Sequence, residues 1–152
     1  MSKNIALIAC DNGFGHVRRM MSLSISLSKL GAQTTLFAPA SAVRKLAELN
    51  DVAVPNVVDF SCGISAKRWL DGGVRDWLTE LPSLDKFDNV VCDNLIEILG
   101  LRPDAVLSGT FFWHKAIHGC KPSIFEHSEA LLKKHHPKIL ATSLFTPEYL
   151  SQ

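Results

Sequence analysis

Residues Asn4-Ile5-Ala6-Leu7-Ile8-Ala9-Cys10 form a short apolar run that breaks at Asp11-Asn12-Gly13-Phe14-Gly15-His16. A second apolar run, Gln33 to Ala38, begins only after a stretch long enough for one helix. Two buried strands separated by that distance read as a parallel pair with a helical crossover, because an antiparallel pair needs no more than a tight turn between its strands. The crossover is expected to be right-handed. One segment argues against a helix there: Leu23-Ser24-Ile25-Ser26-Leu27-Ser28 alternates as a half-exposed strand would. The parallel pair decides for a helix over Val17 to Leu30, with Met20, Leu23, Leu27 and Leu30 on one face and Gly31 as its stop.

The same alternation continues along the chain. Pro39 to Asn50 reads as a helix, Val52 to Phe60 as an edge strand interrupted at Pro55, and Ser65 to Leu81 as a helix split or bent at Gly72-Gly73. Asn89 to Cys92 and Asp104 to Leu107 read as short buried strands around a helical Leu95 to Leu101, and Lys138 to Ala141 as a last strand. No internal repeat, low-complexity tract or linker interrupts the 152 residues. The fold class is therefore α/β, a single Rossmann-like doubly wound parallel sheet in one domain over residues 1–152. Trp69 and Trp77 are assigned to its core.

Parallel sheets collect ligands outside the carboxyl ends of their strands, where helix N-termini present free N–H groups. The glycine turn after the first strand stands at that rim. A nucleotide-triphosphate loop requires Lys and then Ser or Thr after its last glycine, whereas Val17 and Arg18 follow His16 here. A dinucleotide fingerprint meets Arg18 in place of its third glycine, and Gln33 to Pro39 holds no acid for a ribose. What remains is GxGHxxR, filled by Gly13, Gly15, His16 and Arg19.

This stretch resembles the first loop of GT-B nucleotide-sugar enzymes. These include the UDP-sugar hydrolases of pseudaminic acid biosynthesis, whose GxGHVxR motif Gly13, Gly15, His16, Val17 and Arg19 match, and the N-acetylglucosaminyltransferases of peptidoglycan synthesis. The resemblance covers the N-terminal half of such enzymes. It implies that residues 1–152 are an acceptor-side domain, and that a donor-binding C-terminal domain or partner subunit lies outside this chain. It further implies that His16 is a base, on a sugar hydroxyl in a transferase or on water in a hydrolase. The partners are then a nucleotide sugar, UDP-linked, and a hydroxyl acceptor, with no cofactor and no metal held by the protein. A third reading makes the chain a noncatalytic half that recruits a donor-binding subunit; on any of the three it is inactive alone.

Imidazole titrates near neutrality and accepts a proton in such a transfer, which is why His16 leads the candidates. Asp93 and Asn94 follow Val90-Val91-Cys92 on the same rim, placing a carboxylate to orient the base and an amide to bind substrate. Asp11 is a second rim carboxylate, competing for that role or stiffening its own turn. Arg19, one turn beyond His16, suits a phosphate. Ser108-Gly109-Thr110 ends a later strand, with Thr110 assigned to the acceptor and Phe111, Phe112 and Trp113 beside it as an apolar wall. His114 and His118 stand four apart, a spacing that can hold a metal on a helix, but neither HExxH nor a cysteine cluster accompanies them.

Charge and cysteine content narrow the partners. The net charge is +1 with both signs interspersed, which gives no footprint for nucleic acid. Four cysteines without close pairing, two of them inside strand-like runs, read as reduced thiols and a cytoplasmic protein. The first strand starts too early for a signal peptide, and no apolar run reaches the length of a transmembrane segment.

Overall fold

The computed structural model describes residues 2–63, 66–73, 76–109 and 111–141. Among these residues, six strands lie in one sheet: β1 (Asn4–Ile8), β2 (Gln33–Ala38), β3 (Val57–Asp59), β4 (Asn89–Asp93), β5 (Val106–Ser108) and β6 (Ile139–Leu140). Their order is β3-β2-β1-β4-β5-β6, and every neighbouring pair is parallel. The fold is α/β, Rossmann-like and doubly wound. Strand order reverses between β1 and β4, which is where such sheets open a crevice at their carboxyl ends.

Among the described residues, helices α1 (Phe14–Lys29), α2 (Ala40–Leu49), α3 (Ala66–Asp71), α4 (Trp113–Ala116) and α5 (Pro122–His135) connect the strands, together with 3-10 turns over Asp76–Thr79 and Ile96–Gly100. Because side chains alternate across a strand, each strand feeds two cores. Leu7, Leu36 and Val91 pack with Val17, Met20 and Met21 of α1 and Val43 and Leu46 of α2. Ala6, Ile8, Val90, Cys92 and Leu107 turn the other way, onto Trp69, Ile98, Leu99, Ile124 and Leu131. Trp69 and Trp77 are both buried, as expected. Asp93, two residues after Val91, therefore belongs to the α1 face. No helix among the described residues is long and apolar enough to cross a membrane.

The alternating segment of α1 is helical, and its serines explain how. Ser24 is buried with its hydroxyl 2.7 Å from that of Thr34 on β2, and Ser28, one turn on, reaches the same hydroxyl at 3.0 Å. The buried stripe is thus Val17, Met20, Met21 and Ser24, rotated from the expected Met20, Leu23, Leu27, Leu30; Leu30 is exposed. Gly31, at φ 88°, closes the helix: its N–H donates to the Ser28 carbonyl and that of Ala32 to Leu27. Such a left-handed residue is the usual end of a Schellman motif.

Other boundaries moved for local reasons. The expected strand over Val52 to Phe60 shortens to Val57–Asp59, since Pro55 has no N–H to donate and ladder pairing starts only after it. The helix expected from Ser65 to Leu81 is split at Gly72-Gly73 as expected: α3 ends at Asp71, Gly72 adopts φ 113°, and a 3-10 turn follows over Asp76–Thr79, while Ser65 lies outside the described residues. α4 stops at Ala116, with Ile117 extended, so His114 and His118 share no helix face. His114 is buried and His118 is exposed.

Candidate functional site

β1 and β4 flank the switch point: β4 carries one member of a hydrogen-bonded trio, and α1, which follows β1, carries the other two. Asp93, the last residue of β4, has a carboxylate with 0% of its side chain exposed. His16 lies in the first turn of α1 and brings Nδ1 to 2.6 Å from Asp93 Oδ2. Arg19, three residues further on the same helix face, places Nε and Nη2 each 2.8 Å from Asp93 Oδ1. All three were singled out from the sequence, and the structure brings them into one cluster. Arg19, expected to face a phosphate, commits two of its nitrogens to the carboxylate.

The cluster fixes where the imidazole proton resides. Arg19 Nη2 is also 3.2 Å from His16 Nδ1, but an arginine can only donate, and Nδ1 cannot both accept from it and donate to Asp93. The shorter contact is to a carboxylate that only accepts, so the proton is assigned to Nδ1 and the guanidinium merely lies alongside. In the neutral imidazole Nε2 then carries the lone pair. It has no hydrogen-bond partner among the described residues and is not sealed from water, in a side chain that is 13% exposed. An aspartate holding one ring nitrogen while the other is left without a partner is the arrangement of a histidine base.

The glycine turn aims this helix. Gly13 sits at φ 113°, ψ 156° immediately before α1, and its N–H returns to the Asp11 carbonyl at 2.8 Å. A side chain there would be strained. Gly15 has no such constraint, and a Cβ built on it would meet no protein atom within 4 Å. The chain itself does not need glycine at that position.

Asp11 does not join the trio. Its Oδ2 accepts the Gly63 N–H at 3.0 Å and the Ser61 hydroxyl, tying the β1 rim to the loop that follows β3. It lines a separate hollow with Gly13, Phe14, Val17, Pro39 and Ala42. Asn94 turns inward: it is buried at φ 58°, and in the amide orientation that suits both polar ends its nitrogen donates to the Ser108 and Phe111 carbonyls at 3.0 and 3.1 Å. Its own N–H bonds the Ser108 carbonyl at 2.7 Å. Asn94 therefore stitches the ends of β4 and β5 together. Thr110 lies outside the described residues.

Beside His16 stands an aromatic group, of which the sequence reading had Phe111 and Trp113 but not their arrangement. The Trp113 ring is 5.9 Å from the imidazole, 5.3 Å from Trp69 and 4.8 Å from Phe111, while Phe112 is buried in the core. Nothing in the spacing of Trp69 and Trp113 announces their contact, which depends on α3 and α4 meeting over the sheet. On the far side of Arg19, a hollow of about 210 Å³ opens between α1 and the rim ends of β5 and β6. Arg19, Met20, Leu23, Ser108, Gly109, Leu140 and Ala141 line it.

Behind the aromatic group, His114 is buried, with Nε2 2.7 Å from Glu129 Oε1, which Lys115 Nζ also meets at 3.1 Å. Desolvation lowers the His114 pKa, with Glu129 opposing. Burial tends to raise that of Glu129, but the bonds from His114 and Lys115 outweigh it and leave it lowered. The imidazole is consequently neutral at pH 7, donating through Nε2, and its buried Nδ1 has no partner. No three His, Cys, Asp or Glu side chains among the described residues gather as a metal site.

No protein-family model and no curated protein matches this chain. Among solved structures, that of MT0777 is similar over 98% of this chain and 91% of its own, with 13% identity and a TM-score of 0.47. A short-chain dehydrogenase from Streptomyces avermitilis is similar over 96% of this chain and 68% of its own, with 14% identity and a TM-score of 0.40. Likeness at this level carries no argument about chemistry, which rests on the residues themselves.

Proposed function

We propose that this chain is the acceptor-side, N-terminal half of a cytoplasmic GT-B glycosyltransferase that moves a sugar from a UDP-linked donor to a hydroxyl. His16 Nε2 takes the proton of the acceptor hydroxyl as its oxygen bonds to the sugar's anomeric carbon, and the nucleoside diphosphate leaves with the electrons of the broken bond. Asp93 is a positioning residue, holding the proton on Nδ1 and stabilising the imidazolium that forms. Arg19 fixes Asp93 in turn. A second domain or partner subunit supplies donor binding.

One observation carries this reading: a 2.6 Å contact from His16 Nδ1 to a fully buried carboxylate, with Nε2 left open at the sheet's switch point. The GxGHVxR likeness and the empty space around Gly15, where a ligand can approach the backbone, agree with it. The test is His16→Ala in the polypeptide that carries both halves, assayed with a UDP-sugar. Loss of a general base lowers turnover by about 10²–10⁴-fold, with donor affinity retained. Near-normal turnover would remove His16 from the mechanism. Omitting the acceptor discriminates transfer from hydrolysis, since stoichiometric release of free sugar and UDP at the full rate means water is the natural acceptor.

A further inference from the structure

We infer that the hollow beside Arg19 binds a carboxylate of the acceptor, making the acceptor a hydroxy acid with an apolar body. The inference rests on the reading of His16 as base and adds a substrate class to it. Arg19 commits Nε and Nη2 to Asp93 Oδ1, yet Nη1 has no partner among the described residues, and 36% of the side chain is exposed. Ser108, 5% exposed, pairs in register with Asp93, and its hydroxyl has no hydrogen-bond partner among the described residues. Neither group is sealed from water. A guanidinium nitrogen and a hydroxyl that line one hollow are two donors suited to one oxyanion.

The rest of the lining selects among oxyanions. Met20, Leu23 and Leu140 make the walls apolar, so the anion arrives on a hydrocarbon body. At about 210 Å³ the hollow is below the roughly 300–1,000 Å³ of pockets that hold a drug-sized ligand, and it suits one ring or short chain. With a neutral imidazole, the His16–Asp93–Arg19 trio has no net charge. A monoanion is accommodated there, whereas a phosphate monoester would set two negative charges near Asp93. When His16 accepts the proton the trio becomes positive, and a carboxylate on Arg19 is then worth more than in the ground state. That difference accelerates the reaction rather than merely tightening binding.

The experiment titrates the 152-residue chain with benzoate, benzamide and phenyl phosphate, following backbone amide shifts by NMR. Benzoate is expected to move the Leu23, Ser108 and Gly109 amides saturably and to bind about tenfold tighter than benzamide, the worth of one charge-assisted bond. Arg19→Gln is expected to erase that preference. Because Arg19 also supports Asp93, Leu140→Glu, at a side chain 47% exposed, provides a second variant that places a negative charge at the mouth and weakens benzoate but not benzamide. Equal affinity for benzoate and benzamide, or benzoate binding indifferent to Leu140→Glu, overturns the proposal. Tighter binding of phenyl phosphate overturns the choice of a monoanion. No donor or turnover enters this titration, so its failure leaves His16 standing, and inactivity of His16 as a base leaves the titration result standing.

Discussion

Replacing Asp93 with Asn tests the site without knowledge of the substrate. The substitution keeps shape and volume, and the orientation of the new amide follows from its neighbours. Arg19 only donates, so the amide oxygen must occupy the Oδ1 side, where Nε and Nη2 lie 2.8 Å away. The amide NH₂ then faces His16 Nδ1, which has to accept, and the imidazole proton moves to Nε2. The lone pair on Nε2 is lost. Charge-assisted hydrogen bonds contribute about 1.5–3 kcal/mol each, and Arg19, being partly solvated, belongs at or below the low end of that range. A stability loss of about 1–3 kcal/mol is therefore expected, with a fold that survives, alongside a fall in turnover of about 10²–10⁴-fold. The decisive assay is two-dimensional ¹⁵N NMR of the imidazole nitrogens, with the His16 signals identified by their absence in His16→Gln. Wild type should show a protonated Nδ1 and a bare Nε2, and Asp93→Asn the reverse. A wild-type proton on Nε2, or an unchanged tautomer in the variant, refutes the reasoning.

A Cβ at Gly109 would fall on the Asn94 carboxamide, so Gly109→Ala should destabilise by about 1–3 kcal/mol, seen in a thermal melt as roughly 2–4 °C per kcal/mol for a chain of this size. Gly15→Ala, in open space, should melt within about 0.5 kcal/mol of wild type. Because the folded-state pKa of His114 is lowered, the unfolded chain takes up this proton first. The stability that His114 contributes is complete above about pH 6.5 and lost as pH falls below it, by at most about 1.4 kcal/mol per pH unit. Urea unfolding at pH 7.5 and 5.5 should show that slope in wild type and a shallower one in His114→Gln. Burial pushes the Cys10 thiol up to about 12 and raises those of Cys62 and Cys92 as well. A thiol reagent at pH 8 should thus modify only the part-exposed Cys120 at first, and all four cysteines once urea is added.

Strand-forming runs and the position of the glycine turn were legible because each is a local property of the chain. The run Val90-Val91-Cys92 located Asp93 on the rim, and the parity of a strand then placed it on the α1 face. Side-chain reach is not local. Whether Arg19 would extend to a ligand or fold back on Asp93 depends on β4 lying beside β1, and neither sequence neighbourhood contains that fact. Asp11 and Asp93 look alike as rim carboxylates, but the loop after β3 supplies Ser61 and Gly63 to one of them and α1 supplies His16 and Arg19 to the other. Ser24 and Ser28 read as a strand's polar edge until Thr34 gives them a buried partner. The inward turn of Asn94 was invisible because its left-handed backbone is imposed by the bond to Ser108.

The placement of β1 next to β4 has a kinetic consequence. Ile5 pairs with Asn89, so the edge that will receive β4 stays bare while the intervening chain is synthesised. β1 and β2 can zip early, but a chain released before residue 93 exposes an unpaired parallel edge of Ala6, Leu7 and Ile8, a template for adhesion to other copies. Ribosome-bound fragments ending before and after β4 should therefore differ sharply in solubility. His16 and Asp93 come together only once that late pairing of β4 with β1 has formed.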